Sequence, residues 1–203
     1  MNSDADLQPA VAGQYQALAD VLASLPEEDW ATLSLCEGWR VREVIAHLTM
    51  PARYDQEAFM AELQAHDFDF GKLSNDIAAR DGQLPSDQLV ADLRSEQLQR
   101  WAPPEGGYLG ALNHVVIHGL DVSLPLGIKD ATPSQVVLLV LQHMTEGGVH
   151  QHFGVQVEGR RLEATDLDWS WGEGLPLRGT ASNLILALAG RKIGGDRLEG
   201  SPL

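Results

Sequence analysis

The chain contains a single cysteine, Cys36, among 203 residues. It can close no internal disulfide and build no multi-cysteine metal knuckle, so a metal site here must rest on histidine and carboxylate. Basic residues are scarce too, 14 against 29 acidic ones, for a formal net charge of −15. A field of that sign repels phosphate backbones and anionic membranes, which argues against nucleic acid as a partner. It leaves room for a locally cationic pocket, since a few arginines or a metal ion reverse the sign at short range. No stretch reaches the roughly 18–20 uninterrupted apolar residues of a membrane span. The opening "MNSDADLQPA" is acidic and polar, the wrong chemistry for a secretory or mitochondrial leader, so a cytoplasmic location is expected.

With 44% hydrophobic and 21% charged residues, the composition is that of a globular protein. Periodicity divides the chain in two. Residues 1–150 read as helices. Leu18, Val21, Leu22 and Leu25 recur at helical spacing up to Pro26, and Val41, Val44, Ile45 and Leu48 form the stripe of a second helix that Pro51 interrupts. Further helices are expected over 52–65, from Ser86 through "DQLVADLRSEQLQRW", through "ALNHVVIHGLDV", and after Thr132-Pro133 with Thr132 as cap. Amphipathic helices with short connections imply an antiparallel bundle. Residues 151–203 alternate apolar and polar residues between glycines, as short antiparallel strands do, then return to helix in "ASNLILALAGR".

His114 and His118 stand four residues apart, on one helix face, with Asp121 three residues further on. Val115 takes the place where a zinc-protease motif needs its glutamate, so that chemistry is excluded. Two readings stay open for the pair: core histidines bonded to their surroundings, or two ligands of a metal site. His47, near the end of its apolar stripe, is the candidate third ligand, and three imidazoles with an open fourth position make a catalytic zinc-type site. His143, His150 and His152 form a rival group, with "HQH" in an extended segment, and read as surface or interface residues, as does His66. Trp39, Trp169 and Trp171 read as core anchors, and Cys36 as a packing residue.

"LCEGWRVREVIAHL" (35–48) and "HVVIHGLDVSLPLG" (114–127) resemble two signatures of the mycothiol-dependent maleylpyruvate isomerase family, and "LEATDLDWSWGEGLPLRGTASNLILALAGR" resembles its C-terminal sterol-carrier-like module. The resemblance implies a DinB-like four-helix bundle over 1–150 and a small α+β module over 151–203. It makes His47, His114 and His118 the ligands of a divalent metal, with zinc the first expectation and nickel or iron the alternatives. Where the isomerase carries a glutamate at the first position of the paired motif, this chain has His114. Asp121 is then an acceptor that orients a ligand imidazole, or a tie between helix end and loop. Arg191 corresponds to an arginine that binds a carboxylate substrate, or is a cation at a helix C-terminus. No catalytic residue is assigned beyond these. The activity implied is a metal-dependent transferase or isomerase that uses mycothiol or a similar thiol on a small-molecule electrophile. The alternatives are a non-catalytic carrier or resistance protein on the same fold, and a metal-dependent hydrolase.

Overall fold

The computed structural model describes residues 4–200 and 203. It is mainly helical with one small sheet, and its contacts form two compact units that meet between Lys129 and Asp130.

The first unit contains α1 (Gln8–Leu22), α2 (Val41–Leu48), α3 (Met50–Arg53), α4 (Gln56–Ala65), α5 (Phe70–Asp81), α6 (Ser86–Leu93), α7 (Glu96–Gln99) and α8 (Gly107–Ser123). Four of these make the core, with α5 against α2, α2 against α8, and α8 against α1. α8 is the central element. Ala111, Leu112, Val115, Val116, Ile117, Leu120 and Val122 are all buried, so it is apolar nearly all round, as a helix enclosed by neighbours must be. Its N-terminus is closed from far away: Asp4 accepts from the N–H groups of Tyr108 and Leu109 at 3.0 and 3.1 Å. That carboxylate also complements the positive end of the helix dipole. Gly107 has φ +56, a conformation glycine adopts without strain, and a Cβ there would displace the capping Asp4 carboxylate.

α2 ends where the prolyl residue demands it. Pro51 sits in the first turn of α3, and Thr49 between the two helices has left helical geometry. The last carbonyls of α2 are satisfied around this break. Ile45 O accepts from both Thr49 N–H (2.9 Å) and Thr49 Oγ1 (2.6 Å), and Arg53 donates to Ala46 O. The Arg53 guanidinium also pairs with Asp81 (3.0 Å) and Asp92 (2.7 Å), so one largely buried cation ties α3 to α5 and α6.

The sequence reading placed no helix over 70–81. α5 is there, capped by Asp69, with Leu73, Ile77 and Ala78 buried. The expected single helix from Ser86 breaks instead at Arg94–Ser95 into α6 and α7, where the Ser95 side chain caps the second piece. Between α4 and α5, Asp67 and Phe68 both adopt left-handed conformations, φ 57 and 61. For non-glycine residues this costs about 1 kcal/mol or more each.

The second unit holds α9 (Ser134–Thr145), β1 (Arg160–Ala164), β2 (Ser170–Gly172), β3 (Leu175–Gly179), α10 (Ala181–Leu188) and β4 (Leu198–Gly200). α9, which the sequence reading gave to the bundle, packs on α10, and its cap position is Pro133 rather than Thr132. The sheet order is β2-β1-β3-β4. β1 pairs antiparallel with β2, as expected, but β1 and β3 are parallel, with Leu162 opposite Leu177. The link from β2 to β3 crosses the start of β1 within two residues. Gly174 makes this possible: its φ is +125, and a Cβ would overlap the Gly159 carbonyl. "HQH" is a 3-10 turn (Val149–Phe153), not a strand.

Candidate metal centre

The loop between Thr32 and α2 is fixed by its own polar groups. Ser34 Oγ accepts from Cys36 N–H at 3.1 Å and donates to Trp39 O at 2.8 Å, while Leu35 N–H reaches the Asp121 carbonyl at 3.1 Å. The loop therefore lies against the C-terminal part of α8. Glu43 holds the start of α2 by accepting from the Arg40 N–H at 2.8 Å and from its guanidinium. Burial alone would raise the Glu43 carboxyl, but hydrogen bonds from Arg40 and its charge outweigh that and hold it below the usual range.

These constraints bring His47 on α2 to His114 and His118 on α8. The three rings stand edge to face: centroids are 5.0 Å apart for His47–His114, 5.0 Å for His47–His118 and 4.8 Å for His114–His118, with interplanar angles of 83°, 78° and 83°. One ring nitrogen from each lies within 4.8 Å of the others. The Nε2 atoms of His47 and His114 are 3.0 Å apart. Tetrahedral zinc at its usual nitrogen distance needs ligand atoms about 3.3 Å apart, so the spacing suits a divalent ion.

Each ring has a different second partner. His118 Nδ1 is 3.0 Å from Asp121 Oδ2, and that carboxylate is fully buried. His47 Nδ1 is 2.9 Å from Ser74 Oγ on α5. His114 Nδ1 is buried and makes no hydrogen bond within the described residues. Burial, reinforced by His118 and opposed by Asp121, pushes the His114 imidazole down to about 3, so it is neutral at pH 7 with a lone pair to give. A neutral imidazole whose Nδ1 is buried and orphaned is poorly explained by packing, which favours satisfied polar groups. The donor set fits a divalent metal.

Cys36 is no mere packing residue. Its Sγ donates to Asp121 Oδ2 at 3.0 Å and lies 3.7 Å from His118 Nδ1, so Cys36, His118 and Asp121 form a second cluster of potential ligand atoms. Nor is Trp39 a core anchor. It is half-buried, with its ring 5.1 Å from that of His47 and its N–H donated to Asn75 at 2.9 Å. Phe70 (6.4 Å from His47) and Trp101 (6.2 Å from His114) complete an aromatic surround. Ser74 and Phe70 escaped the sequence reading because the helix that carries them did. For Cys36 a signal was present, its place just before the Gly38-Trp39 pair, but its partner is 85 residues away.

The other histidines lie elsewhere. His150 is buried, not at the surface, with Nδ1 2.8 Å from Met144 O. His152 is exposed beside Phe153, and His66 sits between Glu62 O and Asp76. Arg191, in the second unit, follows α10. Its guanidinium lies 5.9 Å from the Phe153 ring centre and donates to Ala189 O at 3.1 Å.

Fold and site together define a helical-bundle protein with a three-histidine cluster and an appended α/β unit. Comparison with known proteins is consistent with that class. Residues 11–102 match the model of the mycothiol maleylpyruvate isomerase N-terminal domain. The matched span includes His47 but stops short of His114 and His118. Two solved structures are similar over nearly the whole length. The crystal structure of the mycothiol-dependent maleylpyruvate isomerase has a TM-score of 0.59 at 18% identity, covering 99% of this chain and 96% of that one. A histidine-to-alanine mutant of the isomerase gives 0.58 at 17%, with the same coverage. At such identity the likeness is one of fold. No curated protein matches the chain.

Proposed function

We propose that the protein is a metal-dependent, thiol-using transferase or isomerase acting on a small electrophile, with His47, His114 and His118 as ligands and mycothiol or a related thiol as co-substrate. The observation that carries this reading is the convergence of three imidazoles from two helices at ligand spacing, in a chain whose residues 11–102 match the mycothiol maleylpyruvate isomerase N-terminal domain. A divalent ion bound there, zinc first and nickel or iron as alternatives, lowers the pKa of a thiol at the open position so that thiolate is present at neutral pH.

The chain's own residues supply the rest. Asp121 accepts the proton of His118 Nδ1, which fixes the tautomer and leaves Nε2 as the ligand atom. With His47 Nε2 as the ligand atom, the His47 Nδ1–H donates to Ser74 Oγ, 2.9 Å away. Trp39, Phe70 and Trp101 reduce the water around the cluster. The thiol gives up its proton to water, its sulfur forms a bond to the β-carbon of a conjugated carbonyl, and the C=C electron pair moves onto the carbonyl oxygen as an enolate. In a transferase the enolate carbon then takes a proton back from water and the adduct is the product. In an isomerase rotation about the former double bond comes first, and the unprotonated enolate re-forms C=C as the C–S bond breaks and the thiolate leaves. Hydrolysis is the weaker reading, because it needs a base near the cluster and the Asp121 carboxylate is already shared by His118 and Cys36.

The test is metal content by elemental mass spectrometry on untagged protein, beside His47→Ala, His114→Ala and His118→Ala checked by circular dichroism. Near-stoichiometric metal that disappears from each folded variant is expected, with thiol-dependent turnover of a conjugated electrophile lost in His118→Ala. A wild-type protein that takes up neither zinc nor nickel would sink the mechanism and leave a carrier.

A further inference from the structure

Few large apolar side chains are more than a third exposed among the described residues, and two of them, Phe68 (65%) and Phe70 (51%), lie where the chain passes from α4 into α5, Phe70 being the first residue of α5. Exposed aromatics of this size are poorly placed for solubility, and a cluster of them marks a binding surface. The same segment holds the two left-handed residues Asp67 and Phe68, a conformation retained where surrounding structure or function requires it.

Its position gives the exposure a purpose. The Phe70 ring is 6.4 Å from the His47 ring and 6.5 Å from Phe59, which packs with Tyr54 and Leu63 on the buried Met50, Leu73 and Ile77. Phe70 thus has one side anchored through Phe59 to a core cluster and one side beside a cluster histidine, with half its surface still open. That arrangement is a ledge next to the reacting position. The charges around it are mostly of one sign: Glu62, Asp67, Asp69 and Asp76 against His66 and Lys72. Arg80 is engaged by Glu62, Asp81 and Tyr54. An anionic group on a ligand lying there would meet repulsion.

We propose that Phe70, with Phe68, determines the specificity of the site by seating the flat, uncharged hydrocarbon body of the electrophile, so that the preferred substrate is a neutral aryl- or alkenyl-conjugated carbonyl compound rather than a dicarboxylate. This rests on the thiol-transfer reading for its chemistry, but the seating itself requires neither metal nor thiol. A ring stacked on Phe70 gains the burial of its own face and an aromatic contact.

The test uses ligands that cannot react with a thiol: 4-phenylbutan-2-one as the neutral probe and 4-phenylbutanoate as its anionic counterpart, with binding followed by saturation-transfer NMR on the full chain as purified. The ketone is expected to bind at least tenfold more tightly than the carboxylate. Phe70→Ala should weaken the ketone about tenfold, as loss of one buried aromatic face predicts. Phe68→Ser should weaken it less, and Arg191→Ala should leave it unchanged. Both aromatics are exposed, so the variants keep the fold, which circular dichroism checks. Absence of ketone binding to wild type, equal or tighter binding of the carboxylate, or indifference to Phe70→Ala would each overturn the proposal. Ketone binding that persists in a protein unable to take up metal would uphold the ledge while defeating the transferase reading.

Discussion

Replacing Asp121 by asparagine probes the centre without removing a proposed ligand. In the wild type the buried carboxylate receives His118 Nδ1–H and Cys36 Sγ–H, both at 3.0 Å. An asparagine keeps the shape but has one oxygen and an NH2 group that donates. If the amide oxygen faces His118, the hydrogen bond survives without its charge. If the NH2 faces it, the imidazole is driven to the tautomer with hydrogen on Nε2, which cannot bind a metal. Loss of such an outer partner costs about 10–100-fold in metal affinity. The assay is thermal unfolding, followed by the helical circular dichroism signal, with and without zinc. At a zinc concentration 100 times the wild-type Kd, binding adds about 2.7 kcal/mol, whereas a variant weakened 100-fold gains only about 0.4 kcal/mol at the same zinc. For a chain of this length those figures mean a zinc-induced rise in Tm of about 5–10 °C against about 1 °C. Comparing each protein with its own metal-free form removes the effect of the substitution on folding. An undiminished zinc shift in folded Asp121→Asn would refute the reasoning, since the carboxylate would then have no part in presenting His118.

Two further expectations concern the frame of the site. Arg53→Met leaves Asp81 and Asp92 buried without their shared cation, a loss of about 3–5 kcal/mol that should appear as a lower urea midpoint. Glu43 has a depressed pKa when folded, so its contribution is fully present above the ordinary carboxylate value and is lost as pH falls through the folded one. Glu43→Gln should accordingly be less stable than wild type at neutral pH and converge with it only as pH falls through the depressed folded value, as read from Tm across a pH series.

Much of the helical unit was legible because its signals are local. The i, i+4 pair His114/His118 and the stripe ending at His47 are properties of single helices, and the bundle follows from several such stripes. α5 was hidden because its stripe is only Leu73, Ile77 and Ala78 among polar residues, and Gly71 next to its start suggested a loop. With it went Ser74, whose bond to His47 no spacing in the sequence announces. The direction of strand pairing was hidden for another reason. Alternation in "RRLEA" and "LPLRG" reports which side chains face inward, and it is the same for a parallel or an antiparallel neighbour. Only the crossing at Gly174 decides between them, and a glycine there reads as an ordinary turn. The close approach of Cys36 to Asp121 likewise depends on how a loop and a helix meet, which neither segment encodes alone.

His47 and His114 touch across 67 positions of the chain. A protein with a single cysteine has no covalent way to tie such distant segments together. An ion gripped by both would serve as that tie. By the loop-closure reasoning applied to disulfides, a ring of this size restricts the unfolded chain by about 4 kcal/mol. The tie would be insensitive to reductants and would open to chelators instead. Depriving the protein of metal would then shorten the lifetime of its folded state as well as silence its chemistry.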